Sequence, residues 1–213
     1  MIRTITREEI PILVDLHLKV LPDSIQAKFG RRFVRLFYES LLPDPEFFCD
    51  GFFWDNQMIG FVSYSPRPWK VLHRALFKKI FVFTGILFLS VIGKPKRLAT
   101  LAKIVPIFFR LRPEPAKKDE AEGINWGVLP EYRRSSQFYK ETGIHVASEI
   151  FKHFVEANRK LNVKRIKIMP LSDDPATVGF LHKHNWKFEG KINRWGTLLD
   201  VYAKDLCQQD TPN

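Results

Sequence analysis

The chain has 213 residues, 45% of them hydrophobic and 14% aromatic, including 19 Phe; this suits one domain with a sizeable core and excludes a disordered chain. Its two cysteines, Cys49 and Cys207, have no metal-site spacing and make no dense disulfide framework, so a reduced, cytoplasmic chain without a metal is expected. The net charge of +11 is concentrated in residues 67–118, where 13 Lys/Arg face the single acid Glu114; that segment carries +12, leaves the rest near neutral, and is expected to attract anionic partners.

The opening "MIRTI" reads as a short edge strand, and the N-terminus lacks the basic stretch and apolar run of a signal peptide. "REEIPILVDLHLKVL" spaces Ile10, Val14, Leu18 and Leu21 as a helix does. After "LPDS", residues 30–42 place Phe33, Leu36, Phe37 and Leu41 on one helical face. "EFFCDGFFWDNQMIGFVSYSP" reads as a hairpin turning at Asp55-Asn56. The basic segment follows. Its apolar run from Ile80 to Ile92 is 13 residues, short of the ~20 that span a bilayer, so a buried or interfacial helix is expected. "KRLATLAKIVPIFFRLR" is a second basic amphipathic stretch, and a polar, Pro-bearing linker closes the segment.

The C-terminal part predicts a strand at "GINWGVLP" and a helix over "GIHVASEIFKHFVEANRKL". A strand "VKRIKIMP", a helix "DDPATVGFLHKH" and strands at "WKFEG" and "TLLDVYAKDL" complete the chain. No repeat or low-complexity tract occurs. Strands alternating with helices imply an α/β fold with a mixed sheet.

The stretch "YRRSSQFYKETGIHVASEIF" (132–151) runs from a proline-marked strand end into a helix. A helix N-terminus carries unpaired N–H groups and partial positive charge, so it attracts phosphate. Gly143 is read as a close backbone approach at the start of that helix, with Arg133, Arg134 and Lys140 around it. The stretch is neither a Walker loop nor a dinucleotide fingerprint.

The order of these motifs resembles the GNAT superfamily of N-acetyltransferases. "VLPEYR" (128–133) fits that family's Val-x-Pro-x-x-Arg strand end, and "KETGIH" (140–145) fits its pyrophosphate loop with Lys140 and His145 as departures. About seven residues are extra between the two. Downstream, "DPATVGFLHKHNW" overlays the family's Asn-Pro-x-Ala-x-x-Phe-Tyr-x-x-x-Gly-Phe, with Asp174 for the Asn, Pro175 and Phe180 matching, and Leu181 where the family Tyr would stand. The resemblance covers 1–66 and 121–206, so residues 67–118 form an insert between the third and fourth strands of a single domain (1–206), followed by a tail (207–213).

The resemblance implies a mostly antiparallel twisted sheet flanked by helices, with acetyl-CoA as cosubstrate. It implies that the strand backbone at Trp126 and Val128 holds the pantetheine arm. Arg133, Lys140, Thr142, Gly143, Ile144, His145 and Asp174 would serve the cofactor. The expected base is Glu122, near Glu120 and Asn125. Leu181 cannot give a proton to the leaving thiolate, which turns attention to His182 (beside His184) and Tyr139. The implied function is acetyl transfer to a primary amine of a small molecule or amino-sugar. The rivals are a non-catalytic CoA- or anion-binding protein and an enzyme moving a longer acyl chain. Two readings of the insert stand open: a helical flap over the acceptor side, or a basic helix on an anionic membrane surface. No nucleic-acid motif accompanies the basic residues; a second copy of the chain is a candidate partner.

Overall fold

The computed structural model describes residues 1–92, 119–133, 136–194 and 197–207, with no side-chain account of 89–92. The second half of the insert (93–118), Arg134 and the tail beyond Cys207 lie outside the described residues. Seven strands form one sheet: β1 (Ile2–Thr4), β2 (Phe48–Trp54), β3 (Gln57–Ser65), β4 (Glu120–Val128), β5 (Arg165–Ile168), β6 (Lys187–Arg194) and β7 (Thr197–Asp205). Their order is β1-β2-β3-β4-β5-β7-β6. Only β4 and β5 are parallel; every other pair is antiparallel. This is the mixed, mostly antiparallel sheet expected.

The helices are α1 (Ile10–Val20), α2 (Ile25–Lys28), α3 (Arg31–Leu41), α4 (Pro68–Lys78), α5 (Ile80–Ile92), α6 (Gln137–Thr142), α7 (Val146–Lys160) and α8 (Pro175–Lys183). Asp55 and Asn56 both take positive φ and turn the β2–β3 hairpin where the sequence placed it. The α1 stripe differs from the expected one: Ile10, Leu13, Val14, Leu16 and His17 are buried, while Leu18 and Leu21 only flank the core. The histidine is inside because both ring nitrogens are satisfied there. Nδ1 lies 2.8 Å from the Tyr38 hydroxyl and Nε2 2.9 Å from Ser24 Oγ.

Strand β4 begins at Glu120, not at Gly123 as the linker reading implied. Two acids fit a strand here because cations face them: Lys167 of β5 lies 2.7 Å from Glu120, and Arg194 of β6 lies 2.5 Å from Glu122. Successive β4 residues look to opposite faces. A Cβ added at Gly127 would sit 2.3 Å from Val20 of α1, whereas Trp126 packs on Phe151 of α7. Gly127 therefore admits α1 against one face while α7 covers the other.

Candidate acyl-transfer site

The decisive backbone feature is a change of partner along β4. Glu120 to Gly123 pair with Arg165 to Ile168 of β5, and the pairing stops there. On its other edge β4 stays joined to β3 as far as Val128. The β3–β4 register shifts between Ser63 and Tyr64, opposite Asn125 and Gly123, so Ile124 is the extra residue of a bulge. A bulge bends and twists its strand, and β4 leaves β5 at this point. The stretch from Ile124 to Val128, including Trp126 and Val128, thus presents one backbone edge to a gap instead of to a strand. Because β4 and β5 run parallel, α7 and α8 both begin at the open end of that gap.

The two helix starts are finished differently. At α8, Asp174 is the cap: its carboxylate accepts from the Thr177 backbone N–H at 3.1 Å and from the Thr177 hydroxyl at 2.5 Å. Its charge already sits at that N-terminus, which leaves α7 as the anion site. At α7 the cap is His145, whose Nδ1 accepts from the Ser148 backbone N–H at 3.1 Å. The neutral ring makes that bond, so His145 contributes a cap in place of the second loop glycine.

Gly143 is not at the start of α7, which begins at Val146. It terminates α6, a short helix inside the extended loop, with φ +68 and its N–H donating to Tyr139 O at 2.8 Å. That left-handed conformation is the requirement for glycine; an added Cβ would meet nothing within 4 Å. The extra loop residues are thus spent on a helical turn whose C-terminus hands the chain to α7. Thr142 Oγ1 accepts from the Ile144 N–H at 3.1 Å and fixes the handover. Lys140 is exposed on α6, and Arg133 Nε donates to Val128 O at 3.1 Å, tying the loop to the end of β4.

The proton-handling candidates lie apart. Tyr139 meets the His145 ring edge-on at 5.9 Å, at the cofactor end. His182 is on the exposed flank of α8, its Nε2 3.2 Å from the Tyr202 hydroxyl. Leu181 is fully buried in the core. The histidine turned toward the gap is His184, 4.3 Å from Phe180 and 5.6 Å from Phe151. Burial, then the neighbouring cations Lys183 and Lys204, hold its pKa below the usual value. Glu122 lies on the α1–α4 face and is bonded twice by Arg194, at 2.5 and 3.4 Å.

Asn125, on the same face, is buried, with a side-chain Nδ2 close enough to weigh on the Tyr38 hydroxyl yet making no hydrogen bond of normal geometry. Behind it lie Tyr38 and His17; burial pushes the Tyr38 hydroxyl up and His17 down to about 4. Arg194, His184 and the His17–Tyr38 pair were not singled out from the sequence. Arg194 lies 72 residues from Glu122, and no local pattern joins them. Among the described residues no cluster of His, Cys, Asp and Glu could hold a metal, and no helix is long and apolar enough to cross a membrane.

No protein-family model and no curated protein sequence matches the chain. Solved structures do. An N-acetyltransferase from Staphylococcus aureus Mu50 superposes with a TM-score of 0.58 at 13% identity, covering 97% of this chain and 98% of that one. The chain has the GNAT fold. The PaiA N-acetyltransferase from Thermoplasma acidophilum, solved with coenzyme A, gives 0.56 at 11% identity over 96% and 98% of the two chains. A chimera of the spermidine N-acetyltransferase SpeG from Vibrio cholerae and hSSAT gives 0.59 at 10% identity over 97% and 95%. The GNAT fold thus extends over the full sheet, including the β4–β5 separation.

Proposed function

We propose that the protein transfers an acetyl group from acetyl-CoA to a primary amine by direct attack of the amine on the thioester. The observation that carries this reading is the edge of β4 from Ile124 to Val128, held by β3 but released by β5, with the start of α7 at its open end. Backbone groups at Trp126 and Val128 fit an extended amide-bearing arm, as a strand would. The α7 N-terminus, with Gly143, Ile144, His145, Thr142, Lys140 and Arg133 around it, fits a pyrophosphate. The cosubstrate supplies an activated acyl group; the chain supplies position, which accounts for much of the rate in such a reaction. As the C–N bond forms, the C–S bond breaks and the amine gives up one proton. On the acceptor face, Glu122 receives the amine and Asn125 Nδ2 offers a donor. His184 and Tyr139 are the groups best placed on the cofactor side for proton exchange; His182 faces away.

The exposed Phe77 and Phe81, next to Lys78 and Lys79 on α4 and α5, favour peripheral contact with an anionic membrane, as basic helices with aromatic faces make. A cytoplasmic enzyme with an amine acceptor, drawn from solution or from that surface, is the resulting picture. The test is thiol release from acetyl-CoA across a panel of primary amines. Amine-dependent release at a rate well above hydrolysis supports the reading. Tight acetyl-CoA binding with no release for any amine favours the non-catalytic alternative, for which buried Leu181 and the Arg194-bound Glu122 are the specific observations.

A further inference from the structure

A second apolar cluster, separate from the main core, joins Phe29, Phe33 and Leu36 of the α2–α3 region to Phe83 of α5. Beside it lies a cavity between α2, α3, α4 and α5, with about 730 Å3 of empty space counted out to its mouth. Phe33, Phe37, Leu72, Leu76 and Leu87 form much of its wall, and only apolar atoms are exposed to it. Protein interiors are close-packed, and an apolar void forfeits dispersion contacts along its lining. A space of this size and chemistry is in the range of ligand sites, not of packing defects.

Both ends of the cavity identify its occupant. At the inner end the wall is Trp69. The Arg194 guanidinium lies over the Trp69 ring, 5.1 Å from its centroid, and also binds Glu122 at 2.5 Å. Glu122 is one residue before β4 loses β5. The cavity therefore ends against the acceptor face of the gap, across the sheet from α7, where the cosubstrate is placed. At the outer side, α4 and α5 expose Phe77, Phe81 and Phe88, a surface from which an apolar molecule could enter.

The geometry points to a binding site for a single hydrocarbon chain belonging to the acceptor, an amphipathic primary amine whose tail fills the α2–α5 cavity and whose ammonium group meets the Glu122 carboxylate. The cavity follows from the walls alone; its assignment to the acceptor rests on the acetyl-transfer reading. The donor chain is the other source of a hydrocarbon tail. It is disfavoured because the thioester would enter from the α7 face, and because a carboxylate at the inner end complements an ammonium.

The test compares dodecylamine with butylamine, and lauroyl-CoA with acetyl-CoA, by calorimetric titration of the whole protein below micellar concentrations. Two variants fill the cavity from opposite walls, Leu76→Trp and Leu87→Trp; retained acetyl-CoA binding shows that each is folded. Burial of the added methylenes predicts that dodecylamine binds at least ~100-fold more tightly than butylamine. That advantage should fall at least tenfold in a folded variant while acetyl-CoA affinity stays unchanged. Equal affinities for the two amines, or an advantage that both variants retain, overturns the site. A chain-length advantage for lauroyl-CoA alone, lost in the variants, overturns the acceptor assignment and gives the cavity to the donor. If acetyl-CoA fails to bind, thermal unfolding reports folding, and the amine result still decides the cavity, separately from the acetyl-transfer reading.

Discussion

The two faces of β4 are built from different materials. On the α7 side the features are backbone: an unpaired strand edge, helix N-termini, a left-handed glycine and two side-chain caps. On the α1–α4 side they are side chains: a charge pair, a buried polar column from Ser24 through His17 to Tyr38, and an apolar cavity. Backbone recognition tolerates wide sequence change, because every residue carries the same N–H and C=O. This explains how the chain keeps the GNAT fold at 13% identity or less to the solved structures compared above. Side-chain recognition has no such tolerance, and the α1–α4 side is where this protein's own specificity is written.

The largest effect expected from breaking this division is at Arg194. Arg194→Ala leaves the Glu122 carboxylate, 16% exposed, without its partner, and removal of one member of such a pair costs about 3–5 kcal/mol. Denaturant unfolding should show that loss, and Glu122→Gln in the same chain should restore much of it. Next is the acid limb of stability. Burial lowers His17 to about 4, against an unfolded value near 6.5. The unfolded chain then binds the extra proton, so this contribution is intact above pH ~6.5, is lost as pH falls toward ~4, and reaches about 3 kcal/mol. His17→Gln should flatten the stability curve in that window relative to wild type; an unchanged slope would contradict the buried neutral imidazole.

Smaller effects sharpen the contrast. Gly127→Ala puts a methyl against Val20, and overpacking of that kind costs about 1–3 kcal/mol; the unfolding midpoint should drop on denaturant titration. Asp174→Ala removes the α8 cap, a loss of about 1 kcal/mol, while Asp174→Asn should hold stability near wild type. If Asp174 instead contacts the cosubstrate, both variants will weaken acetyl-CoA binding and the cap account is wrong.

Much of the frame was legible in the sequence because it is local. Alternation and Asp55-Asn56 gave the hairpin, and the acidic, Pro-marked start gave α8. The insertion in the phosphate loop was visible as length, but not as α6, since six residues from Gln137 to Thr142 have too few turns for a periodic signal. Gly143 was seen as a loop glycine, yet its role as a helix terminator depends on that unseen helix. Glu120 and Glu122 read as a polar linker because the cations that make them strand residues, Lys167 and Arg194, arrive from other strands. The cavity had no signature at all. Its walls come from four helices, and their Phe and Leu residues look like ordinary core in each one.

The most direct test of the account is titration of acetyl-CoA into the wild-type protein, Gly143→Asn and Gly143→Asp. Asn tolerates the left-handed conformation and adds no charge, whereas Asp has the same shape with an anion where the pyrophosphate is placed. The account predicts micromolar binding for wild type, a modest loss for Gly143→Asn and abolition for Gly143→Asp. No binding to the wild type, or equal binding to the Asn and Asp variants, would contradict it.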